Sequence, residues 1–292
     1  VLRWPDYQYE YGQGNLNKNK EGELYYSYSA SADGPNTGST SSAWGPKFNA
    51  QSYFQYDPNV EGQGATRTPW VPYKDNITGF WRTGYTLQNS VALDGGTDVF
   101  TARASITHTK NEWIMPNTGF ERIVGSLNTS LQLSKKLKLN GKFNYTNKTS
   151  DNLPGTGYNG QSIAYFMIFQ NPNVNLNWYA PRWKKGQEQL KQIHPYSSFI
   201  ENPFLIANEM TNSLNSTNLD GNLQGVYTFN DRWELMFRSG INMRVDAREQ
   251  RRTFDTANFP LGYYKQQDVN FMESNTDALL SYNNEILPKL EF

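Results

Sequence analysis

The stretch Trp233-Glu234-Leu235-Met236-Phe237-Arg238-Ser239-Gly240-Ile241-Asn242-Met243-Arg244-Val245-Asp246 decides how this chain folds. Trp233, Leu235, Phe237, Ile241, Met243 and Val245 fall on one side of a two-residue period, with Glu234, Arg238, Asn242, Arg244 and Asp246 on the other. Period-two alternation is the mark of a β-strand whose faces meet different surroundings. Upstream, Leu219, Leu223, Tyr227 and Phe229 alternate in the same way and lead through Asn230-Asp231-Arg232 into Trp233, which predicts a hairpin.

The same pattern recurs on either side. Tyr85, Leu87, Val91 and Leu93 oppose Thr86, Gln88 and Ser90; beyond Asp94-Gly95-Gly96, the set Phe100, Ala102, Ala104 and Ile106 opposes Thr101, Arg103, Ser105 and Thr107. Leu127, Leu131 and Leu133 lead through Ser134-Lys135-Lys136 to Leu137, Leu139, Phe143 and Tyr145. A seventh segment, Met272 to Tyr282, sets Met272, Ala278, Leu280 and Tyr282 against Glu273, Asn275 and Asp277, then turns at Asn283-Asn284. The reading is all-β: seven antiparallel strands of roughly 13 residues, against the usual ~5 to 6.

Short turns alternate with long excursions at 108–120, 149–214 and 248–270. Loops of that length count against a compact domain but are expected of an outer-membrane barrel, whose periplasmic turns are short and outer loops long. The expected organisation is therefore an extracellular loop region at 1–80 and transmembrane barrel strands over 81–292. Within the excursions, Leu24 to Ala30 reads as a strand and Ser162 to Gln170 as a short helix ended by Asn171-Pro172-Asn173. Alternation also fits a soluble carbohydrate-binding β-sandwich; strand length and loop asymmetry weigh against it.

Bulk composition agrees. Hydrophobic residues make up 37% and aromatic residues 15%, and mean hydropathy is −0.75, as for strands that are apolar on one face only. The longest apolar run, Ile163 to Phe169, is far below the ~20 residues a spanning helix needs. With 27 basic and 27 acidic residues there is no electrostatic case for nucleic acid. No cysteine is present, so disulfides and thiolate metal sites are excluded.

Six stretches occur in an order that carries a family resemblance: Tyr9-Glu10-Tyr11-Gly12-Gln13-Gly14; Ala43-Trp44-Gly45-Pro46-Lys47; Gly84-Tyr85-Thr86-Leu87-Gln88-Asn89-Ser90 leading to Asp94-Gly95-Gly96; Met115-Pro116-Asn117-Thr118 with Glu121-Arg122; Asn202-Pro203-Phe204; and Leu219-Asp220-Gly221-Asn222-Leu223. Together they resemble the SusC/RagA-type TonB-dependent transporters of Gram-negative outer membranes. The resemblance implies a 22-stranded barrel with an N-terminal plug in its lumen and a SusD-like surface lipoprotein closing over its mouth. It also implies import of oligosaccharides or peptides, driven by energy passed through TonB. This sequence shows no plug, no TonB-contacting segment and no full strand set. The expectation is a central slice of about eight strands, lying in outer-membrane lipid.

A transporter needs a wet lumen and a grip on solute rather than a reactive centre. Lumen-facing candidates are Arg103, Lys138, Lys142, Asp220, Glu234, Arg238, Arg244, Asp246 and Asp277, which are equally expected to pair with a plug or with one another. In the outer loops Trp44, Trp70, Tyr158, Trp178, Tyr179 and Trp183 could stack on sugar rings or peptide side chains, against a competing role in loop packing or lipoprotein contact. Catalysis has little support. His108 at a strand end and His194 before Pro195 lack metal-ligand spacing. A glycoside hydrolase would need a carboxylate pair ~5 to 9 Å apart, for which Asp246 and Glu249 are a candidate. Asp94-Gly95-Gly96-Thr97-Asp98 offers oxygens for Ca²⁺ without a full ligand set and reads better as a hairpin turn. No metal or cofactor is implied.

Overall fold

The computed structural model describes residues 6–18, 24–27, 42–157, 161–193, 201–287 and 290–291. Strand accounts for 56% of the described residues and helix for 9%. Two small hairpins come first, β1 (Asn15–Lys18) with β2 (Leu24–Ser27) and β3 (Ser52–Asp57) with β4 (Gly62–Pro69), followed by the one-turn helix α1 (Asn76–Phe80). Residues 28–30 of the expected first strand lie outside the described residues.

Seven long strands then form one sheet: β5 (Tyr85–Gly96), β6 (Phe100–Glu112), β7 (Gly119–Ser134), β8 (Leu137–Ser150), β9 (Asn212–Thr228), β10 (Trp233–Phe254) and β11 (Leu261–Tyr282). Each pairs antiparallel with the next in sequence, an up-and-down meander with no crossover. Among the described residues β5 and β11 are bonded on one side only, so the sheet is an open arc. A short hairpin, β12 (Glu285–Leu287) with β13 (Leu290–Glu291), follows.

The register runs across the arc with one shift, between Gln132 and Ser134 where β7 meets β8, and one row runs Leu93, Ala104, Leu127, Phe143, Gly221, Ile241, Ser274. Because the side-chain period is two, every row two residues away carries the same face. That face gathers all the apolar positions read from the alternation. It is bare: Leu93 is 73% exposed, Met272 66%, Val91 62% and Phe237 53%. Gly221 lies beneath the ring of Phe143, where a Cβ would stand 2.6 Å from a ring carbon, so the glycine lets the aromatic lie flat on the wall.

Connections at the 97–99, 135–136, 229–232 and 283–284 end are short, as expected. At the other end only 151–211 is long. The expected loop at 108–120 shrinks to 113–118, and the one at 248–270 shrinks to 255–260, because β10 and β11 each run for 22 residues. The reason is physical: past Val245 both faces of β10 are polar (Arg248, Glu249, Gln250, Arg251), so the ladder continues where the alternation that betrays a strand has ended.

The buried core lies in the loops. Tyr56, Ile77 and Phe80 pack with Ile163, Phe166, Met167, Val174, Leu176, Tyr179, Ile193 and Ile206. Helices α2 (Ile163–Ile168) and α3 (Pro203–Glu209) frame this layer, capped by Ser162 and Asn202, whose side chains accept from Tyr165 N at 3.3 Å and Phe204 N at 2.9 Å. Among the described residues no apolar side chain of β5–β11 is buried. A β-sandwich would cover that face with a second sheet, and none lies on it among the described residues. Among the described residues no helix is long and apolar enough to cross a membrane.

Candidate functional site

Opposite the apolar side, the register brings Arg103, Lys138, Lys142, Asp220, Glu234, Arg238, Arg244, Asp246 and Asp277 onto one polar face. Their surroundings differ. Asp246 is the buried anion of the wall, with its side chain 1% exposed. It accepts from Ser216 Oγ at 2.6 Å, from Arg244 Nε at 2.9 Å and Nη2 at 2.7 Å, and from Arg248 Nη2 at 2.6 Å. Two guanidiniums thus share one carboxylate, whose oxygens are saturated. Asp220 accepts from Asn144 Nδ2 at 2.8 Å and Asn218 Nδ2 at 3.2 Å.

Nearer the short-turn end, Arg238 holds Asp277 through Nη2 at 2.6 Å and Nε at 3.1 Å, both side chains about half exposed. Arg103 approaches Asp94 at 3.8 Å with both groups well exposed, a pair worth little in water. That contact also ties up the first aspartate of the Asp94–Asp98 turn. Lys138, Lys142 and Glu234 make no ion pair among the described residues.

Between β9, β10 and β11 the polar face opens into a groove of about 640 Å³, floored by Asn218, Asn242 and the Asp246 cluster and flanked by Val269 and Phe271. The two apolar residues interrupt a polar face: Val269 stands opposite Asp246 in the ladder and Phe271 opposite Arg244. Phe271 is half exposed. Neither they nor Arg248 emerged from the sequence, although an apolar pair out of phase with Met272 was a readable signal.

Of the loop aromatics, Trp70 and Tyr179 are fully buried and Trp183 nearly so. Trp70 donates from Nε1 to Pro46 O at 2.9 Å. Trp178 stacks on Tyr56 at 5.9 Å and meets Tyr73 edge-on. These are the anchors of a loop layer that needs its own core, and the fully buried rings offer no face to a solute. Trp44, 61% exposed beside Tyr11, keeps a free surface. Tyr158 and His194 lie outside the described residues. His108 sits inside β6, not at its end, 4.0 Å from Glu121. Asp246 and Glu249, three residues apart on one strand, point to opposite faces and cannot serve one bond as a hydrolytic pair.

Burial raises several groups of the loop layer, Tyr56 and Glu201 among them. The Tyr56 phenol is pushed well above its ordinary range by burial, with Glu61 and Asp57 adding to it. Glu201 is also raised, chiefly by desolvation, although Gln192 Nε2 and the backbone N–H of Ala257 each donate to it at 2.6 Å.

No protein-family model and no curated protein matches this sequence. Among solved structures, the RagAB peptide importer in its closed-closed state aligns with a TM-score of 0.58 at 17% identity, covering 82% of this chain and 25% of the other. The fold is that of a RagAB-like transporter barrel, in part. The open-open state of the RagAB importer aligns at 0.53 with 16% identity over 73% of this chain and 23% of that one. A further RagAB peptide transporter structure gives 0.56 and 18% over 73% and 24%. The chain spans about a quarter of the length of the RagAB chains it matches.

Proposed function

We propose that this chain is part of the wall of an outer-membrane importer, with the apolar face against lipid and the polar face toward a wet lumen. One observation carries the reading: a seven-strand meander exposes a mainly apolar face, interrupted by small hydroxyls such as Ser239, Ser274 and Thr276, whose reverse is a hydrogen-bonded charge network. From Trp233 to Val245 the apolar band of β10 rises about 40 Å along the strand, or about 30 Å at a tilt of ~40°, which matches a bilayer's hydrocarbon thickness. The finer parts of the proposal are TonB-dependent energy, a SusD-like surface lipoprotein over the mouth, and peptide or oligosaccharide as solute. These rest on the resemblance of the sequence motifs and on the likeness to RagAB, whose structures are named for peptide import.

Cysteine scanning tests the wall directly, since the chain has no native cysteine. In the full-length protein in cells, Arg238→Cys should react with a small water-soluble maleimide and Phe237→Cys should not. Equal labelling of the two neighbours would sink the membrane reading and return a soluble sheet to contention.

A further inference from the structure

We propose that the groove between β9, β10 and β11 is a subsite for the free carboxylate of a peptide, with an apolar side chain of the same peptide resting on Phe271. The inference rests on the reading of the polar face as the lumen wall. It starts from the sharing of Asp246. Because one buried carboxylate fixes two guanidiniums, Arg244 and Arg248 are held in place while their remaining N–H groups, on Arg244 Nη1 and on Arg248 Nε and Nη1, have no partner among the described residues. Both side chains are about half exposed, so these donors are wet and accessible. Pre-ordered guanidinium donors on one wall are the geometry that planar anions bind best, since little side-chain freedom remains to be lost.

Two further features narrow the ligand. Phe271, half exposed, and Val269, partly buried, place apolar surface in register with Arg244 and Asp246, where a small inorganic anion would gain nothing from it. Such a site favours a molecule that carries an apolar group next to its carboxylate. Asp220 stands one row further along the same groove, on β9 beside Asn242. A polyanion such as a uronic-acid chain would set its next carboxylate against Asp220, whereas a peptide follows its terminal carboxylate with neutral amides. The charge order along the groove therefore favours a peptide terminus over an acidic glycan.

The test uses the full-length transporter in detergent and three probes, their binding read by isothermal titration calorimetry: acetyl-Gly-Ser-Gly-Phe with a free carboxylate, the same peptide as its terminal amide, and trigalacturonate. The acid should bind at least about tenfold more tightly than the amide, and than trigalacturonate, consistent with loss of a charge-assisted contact. Arg248→Gln, which leaves the Arg244–Asp246–Ser216 contacts intact, should erase the acid-to-amide difference. Phe271→Ser, at an exposed position, should weaken acid and amide alike. Equal binding of acid and amide by the wild-type protein would overturn the proposal, as would trigalacturonate binding as tightly as the peptide acid. A migration in detergent gels that changes on heating, as for the wild-type protein, shows that each variant is folded. If the two-face labelling pattern holds while the acid shows no preference, the subsite fails and the importer reading stands; loss of that pattern would defeat the importer reading itself.

Discussion

Arg244 and Asp246 lie two residues apart on β10, project from the same face and are joined by two hydrogen bonds of 2.9 and 2.7 Å. The contact is intrastrand, so it stiffens one strand. Ser216 on β9 and Arg248 extend it into a cross-strand cluster. Replacing Asp246 by alanine leaves two guanidiniums side by side without an anion. Breaking a buried pair costs about 3–5 kcal/mol; with both arginines half exposed, about 2–3 kcal/mol is expected. Asp277→Ala, which removes a half-exposed pair, should cost under about 1 kcal/mol. Urea unfolding of the detergent-solubilised full-length barrel checks the order of the two, and equal losses would deny Asp246 its special place.

The apolar face makes a second expectation. Ile241 lies well inside the apolar band and Trp233 at its short-turn margin, where Tyr282 pairs with it at 4.6 Å between rings. Paired aromatics at a band edge suit a lipid–water interface. Ile241→Arg should destabilise insertion by about 2–4 kcal/mol, and Trp233→Arg by no more than about 1. Asn242→Arg, one residue along but on the polar face, should insert normally. Folding yield into lipid vesicles reads all three; tolerance of Ile241→Arg would contradict lipid contact.

How much of this could be read from the residues alone depends on whether their two sides see different media. Trp233 to Val245 was legible because apolar and polar side chains alternate there. The rest of β10, through Arg248, Arg251 and Phe254, was not, because backbone pairing continues where both faces are polar and leaves no periodic trace. The nine charged candidates fell on one face as the two-residue period requires. The loop aromatics behaved otherwise, because whether a tryptophan meets solute or its own loop is decided by contacts distant in sequence. Phe271 and Val269 were hidden for a third reason: they break the local alternation, and a broken pattern reads as a loop.

Trp70 was a candidate for solute contact and is instead a packing anchor. It is fully buried, and Gly12 lies so close that a Cβ there would stand 2.2 Å from the indole ring. Trp70→Ala should cost about 3–5 kcal/mol within the loop layer, and Gly12→Val should disrupt it by overpacking. Trp44→Ala, at an exposed site, should leave loop stability unchanged. Limited proteolysis of the loops separates these outcomes. A loop layer indifferent to Trp70→Ala would restore this residue as a ligand-contact candidate.

The long loop 151–211 is tied to the 255–260 turn by contacts that include a buried acid. Lys191 Nζ meets Asp255 at 2.7 Å, Gln192 N donates to Asp255 Oδ2 at 3.0 Å, and Glu201 takes the N–H of Ala257. Asp255 adds to the rise that desolvation gives the Glu201 pKa. A carboxyl raised on docking keeps its proton to a higher pH than in the undocked loop. Between the ordinary glutamate value of about 4.3 and the raised value, the docked state therefore binds more protons. Docking should be firmest below that window and should weaken as pH rises through it. Hydrogen exchange of the Lys191–Ile193 amides, measured from about pH 5 to pH 8 and corrected for intrinsic rates, should show protection falling with pH. Glu201→Gln keeps the shape but cannot ionise, so its protection should not vary with pH. A wild-type profile that is flat, or that rises with pH, would show that the cost of ionising Glu201 does not govern docking.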